Sequence, residues 1–178
     1  MSVGLLDAAR RWDASRLRER GFTGFHSVSH LMRTRCLEVP VERGVYVVVR
    51  DTDAPPEFRE RSVGGRYRHE DPSVAVEDLA KRWVAGARVL YIGGARGPGV
   101  RSLLQQRVKR YLRFGQGKAV GHRGGRYVWQ LLDHIALQIA WLTTPDADPA
   151  ALAAEVLDGF SAHHGRPPFA NLDQEEQE

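Results

Sequence analysis

The chain has 178 residues, 42% hydrophobic and 27% charged, with 26 Lys and Arg against 22 Asp and Glu for a formal net charge of +4. That is enough for one domain with its own core, and the composition excludes a disordered or fibrous protein. A single cysteine, Cys36, excludes an intramolecular disulfide framework and a multi-cysteine zinc site; with no long apolar segment at the N-terminus, a cytoplasmic protein without a membrane partner is expected.

In chain order, residues 3 to 19 predict a helix with Leu5, Leu6, Ala9, Trp12 and Leu17 near one face, broken by Gly21 and Gly24. The aromatic- and histidine-rich stretch that follows fits no simple periodicity, so residues 1–40 are expected to form an N-terminal helical extension packed on the core. Tyr46 to Val49 is a β-branched and aromatic run that predicts a buried strand. Residues 51–88 hold Pro55, Pro56, Gly64, Gly65 and Pro72 and read as a long excursion with little core of its own, closed by a short helix over VEDLAKRWV.

ARVLYIGGA predicts a second strand. VRSLLQQRVKRYLRFG predicts a helix, because Leu103, Leu104, Val108, Tyr111 and Leu112 recur at three-to-four spacing and Gly115 stops it. GQGKAVGHRGGR reads as a loop, RYVWQLLDH fits helix or strand, and IALQIAWLTT predicts a third strand. The last helix has Asp148 as N-cap, Pro149 at its first position and Gly165 beyond its end, and the acidic tail 173–178 is expected to be disordered. The fold class is therefore α+β, a small three-stranded mixed sheet flanked by helices.

The net charge conceals an asymmetry. Between Leu79 and Leu132 stand twelve lysines and arginines and no Asp or Glu, so this stretch is +12 and the remainder −8. An anionic partner is implied, nucleic acid first, with a solvated basic face as the plainer alternative. Several familiar sites are excluded. GQGKA lacks the first glycine of a phosphate-binding P-loop and has Ala119 where the magnesium-holding hydroxyl would stand. No G-x-S-x-G elbow occurs, and the adjacent His163 and His164 make a poor metal pair.

A sharper constellation remains. GVY (Gly44, Val45, Tyr46) opens the first strand and YIG (Tyr91, Ile92, Gly93) closes the second. Arg107 and, one turn on, Tyr111 follow in the next helix; Glu155 lies in the last helix and Asn171 ends PPFAN. In this order the residues resemble the GIY-YIG nuclease family over residues 41–172, with 51–88 as an insertion projecting from the hairpin tip.

Cleaving a phosphodiester requires an activated water, stabilisation of a dianionic pentavalent state and help for the leaving oxygen. Arg107 can hold phosphate oxygens bidentately, and Glu155 can place one Mg²⁺ or Mn²⁺ ion against the phosphate. The resemblance implies Tyr46 as general base or water-positioning group, Tyr91 as the orienting phenol and Gly93 as a point of close substrate approach. Asn171 is implied as a brace and Tyr111 as the partner one turn after the arginine. Where the family often has lysine after YIG this chain has Gly94, and Arg96 is the cation that could stand in.

The expected function is a metal-dependent DNA endonuclease, with a catalytically inactive nucleic-acid-binding module of the same fold as the alternative. Arg96, Arg101, Lys109, Arg110, Arg113, Lys118, Arg123 and Arg126 are the expected phosphate contacts. Double-strand breaks would call for a homodimer or two binding events. Taken singly, Tyr46 and Tyr91 are ordinary strand aromatics, and Glu155 a surface carboxylate; their order carries the resemblance.

Overall fold

The computed structural model describes residues 12–66, 68–94, 103–120 and 124–172. Four strands among them form one sheet: β1 (Thr23–Ser27), β2 (Gly44–Val49), β3 (Val89–Gly94) and β4 (Gln138–Thr143), in the spatial order β1-β4-β2-β3. Every neighbouring pair is antiparallel, so the expected three-stranded mixed sheet is corrected to a four-stranded antiparallel one.

The added strand comes from the segment expected to be only a helical extension. β1 pairs with β4 through a register shift between Gly24 and His26, where Phe25 has a positive φ of 57° and Gly24 one of 92°. The bulge interrupts the alternation by which a strand is recognised in sequence. Of the predicted helix 3–19, residues 3–11 lie outside the described residues, as does the tail 173–178. The described part is α1 (Ala14–Glu19), capped by Asp13, which accepts from the Arg16 amide at 3.0 Å.

β2 is buried along its whole length because both faces of the sheet are covered. Val45, Val47 and Val49 face one core with Trp12, Leu17, Phe22, Val156 and Phe160, beneath α1 and α5 (Pro149–His164). Tyr46 and Val48 face the other, beneath α2 (Val28–Thr34) and α4 (Leu104–Gly115). The local signals that set α5 are those read in its sequence: Asp148 accepts from the Ala150 amide at 3.1 Å, Pro149 follows, and Gly165 ends the helix at φ 74°.

The excursion holds α3 (Val76–Arg82), but it does not project. It runs back over the α4 side of the sheet, where Phe58, Val63, Val74 and Trp83 pack on the core. Gln130 secures it. This fully buried residue ends a 3₁₀ turn over Arg126–Gln130, donates to the carbonyls of Arg59 (3.0 Å) and Val74 (2.8 Å), and accepts from the Val74 amide (2.7 Å). The RYVWQLLDH segment is thus neither α-helix nor strand. Among the described residues no helix is long and apolar enough to cross a membrane.

Candidate functional site

Alternation along β2 turns Tyr46 toward α4, and its cross-strand partner on β3 is Gly93. A Cβ at Gly93 would lie 2.6 Å from the Tyr46 ring. The glycine of YIG therefore makes room for the tyrosine of GVY; the space expected for close substrate approach is filled by that ring. Gly44 meets a different constraint, since a Cβ there would stand 2.3 Å from the Leu142 carbonyl oxygen and 2.7 Å from Leu104.

Tyr91, two residues before Gly93, faces the same side, and Tyr111 comes down from α4. The three rings form a triangle with centroid separations of 5.9 Å (Tyr46–Tyr91), 5.9 Å (Tyr46–Tyr111) and 5.8 Å (Tyr91–Tyr111). Arg107, one turn before Tyr111, sets its guanidinium carbon 6.0 Å from the Tyr46 ring centroid, and its Nε is buried with no hydrogen-bond partner. Four of the expected residues thus meet.

A fifth element joins them. Gly125 adopts φ 75°, and the Tyr111 hydroxyl donates to its carbonyl at 3.2 Å. A Cβ at Gly124 would stand 2.4 Å from the Tyr91 hydroxyl oxygen, and one at Gly125 2.9 Å from the Tyr111 ring. The Gly-Gly pair therefore lies directly on the tyrosines. By sequence it reads as plain loop, although two successive glycines ahead of Arg126 are the available signal for a close backbone approach.

Burial raises the Tyr46 hydroxyl well above its ordinary pKa, the neighbouring Tyr91 adds to the rise, and the Arg107 guanidinium opposes it. Tyr111 is raised by burial and by the other two phenols. Both shifts favour the neutral phenol, suited to hydrogen bonding, and Tyr46 is fully buried.

Asn171 braces the site from the outer edge of β3. Its Oδ1 accepts from the Ile92 amide and its Nδ2 donates to the Ile92 carbonyl, both at 2.9 Å, so a side chain completes the strand's hydrogen bonding within YIG. Asn171→Ala is expected to lower stability by about 2 kcal/mol, the scale of orphaning two backbone groups at a half-buried edge, measured by urea unfolding. An unchanged midpoint would show that water replaces both bonds.

Glu155 is not brought to this cluster. On α5, Val156 and Phe160 pack on the opposite face of the sheet, and the Glu155 carboxylate, 66% exposed, accepts from Arg20 Nη2 at 2.8 Å. The i, i+4 pair of buried residues fixes which way the helix faces, and Glu155 falls outside that stripe. The first turns of α5 also explain Gly94: a Cβ there would stand 2.5 Å from the Ala153 Cβ, so the helix occupies the place of a side chain after YIG. As arranged, the cluster of three phenols and a guanidinium contains no carboxylate and does not fit Mg²⁺ or Mn²⁺. Among the described residues no group of three His, Cys, Asp or Glu could hold a metal.

Of the expected phosphate contacts, Arg110, Arg113 and Lys118 are exposed on or just after α4. Lys109 donates to Gln105 Oε1 at 2.8 Å, and the Arg126 guanidinium lies 5.3 Å from the Tyr127 ring centroid. Arg96, Arg101 and Arg123 lie outside the described residues. No protein-family model matches the chain, and comparisons with curated proteins and with solved structures found no match.

Proposed function

We propose that the chain is a nucleic-acid-binding module that grips the phosphodiester backbone, DNA in the first instance, on the exposed side of α4, which lies over the buried tyrosine triangle. The observation that carries this is the Arg107 guanidinium, half-buried against Tyr46 with its Nε unpartnered. A buried donor without an acceptor is costly, and a phosphate oxygen would satisfy it. Arg107, Arg110 and Arg113 recur every third residue, so they form one slanting ridge across α4, running outward from the tyrosines. GVY and YIG lie on paired strands with Tyr46 opposite Gly93, which supports reading the domain as GIY-YIG-like. The free, buried Cys36 suits the reducing cytoplasm.

A second reading, cleavage dependent on Mg²⁺ or Mn²⁺, draws on the convergence of Tyr46, Tyr91, Tyr111 and Arg107. It needs a carboxylate from outside the cluster, and double-strand breaks would need two such sites. Fluorescence anisotropy with a short DNA duplex tests the first reading. Arg107→Gln is expected to weaken binding about tenfold and to reduce the salt slope by about one, whereas Glu155→Ala stays within about twofold of wild type. Binding that is insensitive to salt, or untouched by Arg107→Gln, overturns it. Plasmid nicking by wild type that vanishes in both variants would favour cleavage instead.

A further inference from the structure

The outer end of the arginine ridge opens on a second feature, a cleft of about 420 Å³ between α2 and α4. Its apolar part comes from Leu31, Met32 and Leu112, and its cations are Arg35, Lys109 and Arg113. The volume lies in the range of small-ligand pockets, roughly 300–1,000 Å³. None of the ion pairs among the described residues involves these three cations. Glu38, on the adjoining turn, is already engaged by Thr34 Oγ1 at 2.7 Å and His30 Nε2 at 2.6 Å. Arg35 and Cys36 both adopt left-handed backbone conformations, at φ 54° and 59°. Two such residues in succession are unusual outside glycine, and here they form the tight turn that carries Arg35 to the cleft.

A positive rim over an apolar floor matches a ligand that is anionic at one end and flat and apolar at the other. We infer that the cleft between α2 and α4 receives a single unpaired nucleotide of the bound strand, its base against the half-buried Met32, over the buried Leu31 and Leu112, and its phosphates held by Arg35, Lys109 and Arg113. The inference rests on the nucleic-acid reading above. It adds a site, since the tyrosine cluster lies at the other end of the ridge. The Met32 thioether is a favourable, adaptable neighbour for an aromatic face. Gln116, at the C-terminal end of α4, lines the same cleft and offers an amide donor and acceptor to a base edge. Arg113 belongs to both the ridge and the cleft, so a backbone tracking the ridge reaches the pocket without a break. A duplex with one extrahelical base meets this geometry, whereas a fully paired duplex has no base free to enter.

The test compares two labelled duplexes, one fully paired and one with a single unpaired adenosine, against the full-length protein. Wild type is expected to prefer the second about tenfold. In Met32→Glu, which places a carboxylate among the cations, and in Arg35→Gln, the ratio of the two affinities is expected to fall to about one. Thermal melting of each variant checks that the fold survives, and the uncharged Arg35→Gln separates pocket loss from general repulsion. Equal affinities in wild type, or a preference that survives both substitutions, overturns the cleft assignment and leaves backbone binding intact. Failure to bind either duplex overturns both readings.

Discussion

Gly44→Ala is expected to lower the unfolding free energy by about 3 kcal/mol, the upper end for forcing atoms into a packed core. The reason is local. A Cβ at this position would approach the Leu142 carbonyl oxygen to 2.3 Å, and that oxygen belongs to β4, hydrogen-bonded beside β2 along the strand. Backbone in the middle of a sheet cannot swing aside, and Leu104 closes the other side at 2.7 Å. For a chain of this size the loss corresponds to a melting temperature lower by about 6–12 °C. Gly86 offers the contrast. It has φ 75°, but a Cβ there would meet nothing within 4 Å, so Gly86→Ala faces only backbone strain of about 1 kcal/mol. If the two variants melted together, the close approach at Gly44 would not be what holds that position to glycine.

Gln130→Ala is expected to be more damaging, by about 3–5 kcal/mol, because the fully buried Gln130 leaves three half-buried backbone partners without their bonds at once. Those partners are the Arg59 carbonyl and both groups of Val74, which tie two points within the excursion to the 3₁₀ turn. The loss is therefore expected to be uneven. Hydrogen exchange at Val74 and proteolysis between residues 51 and 75 are expected to accelerate more than exchange in β2, since the excursion opens before the sheet does. Uniform acceleration throughout the chain would mean that the excursion has no independent opening, and that Gln130 serves the global core alone.

The strands over Tyr46–Val49, Val89–Gly94 and Gln138–Thr143 are legible in the sequence because each is a compact apolar run, and α5 is legible from Asp148, Pro149 and Gly165. β1 is not, since Thr23–Ser27 carries a bulge, a left-handed Phe25 and no fully buried residue. The excursion reads as projecting because what folds it down is distant in sequence, the Gln130 side chain together with the packing of Phe58, Val63, Val74 and Trp83, and no local pattern reports such contacts. The meeting of Tyr46, Tyr91, Tyr111 and Arg107 follows from strand alternation and helical spacing. The place of Glu155 does not follow, because a carboxylate in an apolar helix is compatible with more than one facing until the helix is packed. Here Val156 and Phe160 choose the facing, and Arg20 receives the carboxylate.

The two outer strands of the sheet have a consequence for self-association. At one margin, the Asn171 side chain and the Ala170 amide take up Ile92 and the Leu90 carbonyl, so the C-terminal segment stands where an added strand would dock. At the other, β1 is bent by its bulge and the left-handed Phe25, which skews the row of donors and acceptors that a second copy would need to align with. Neither margin is a flat template. The sheet is thereby guarded against growing by strand addition at either margin.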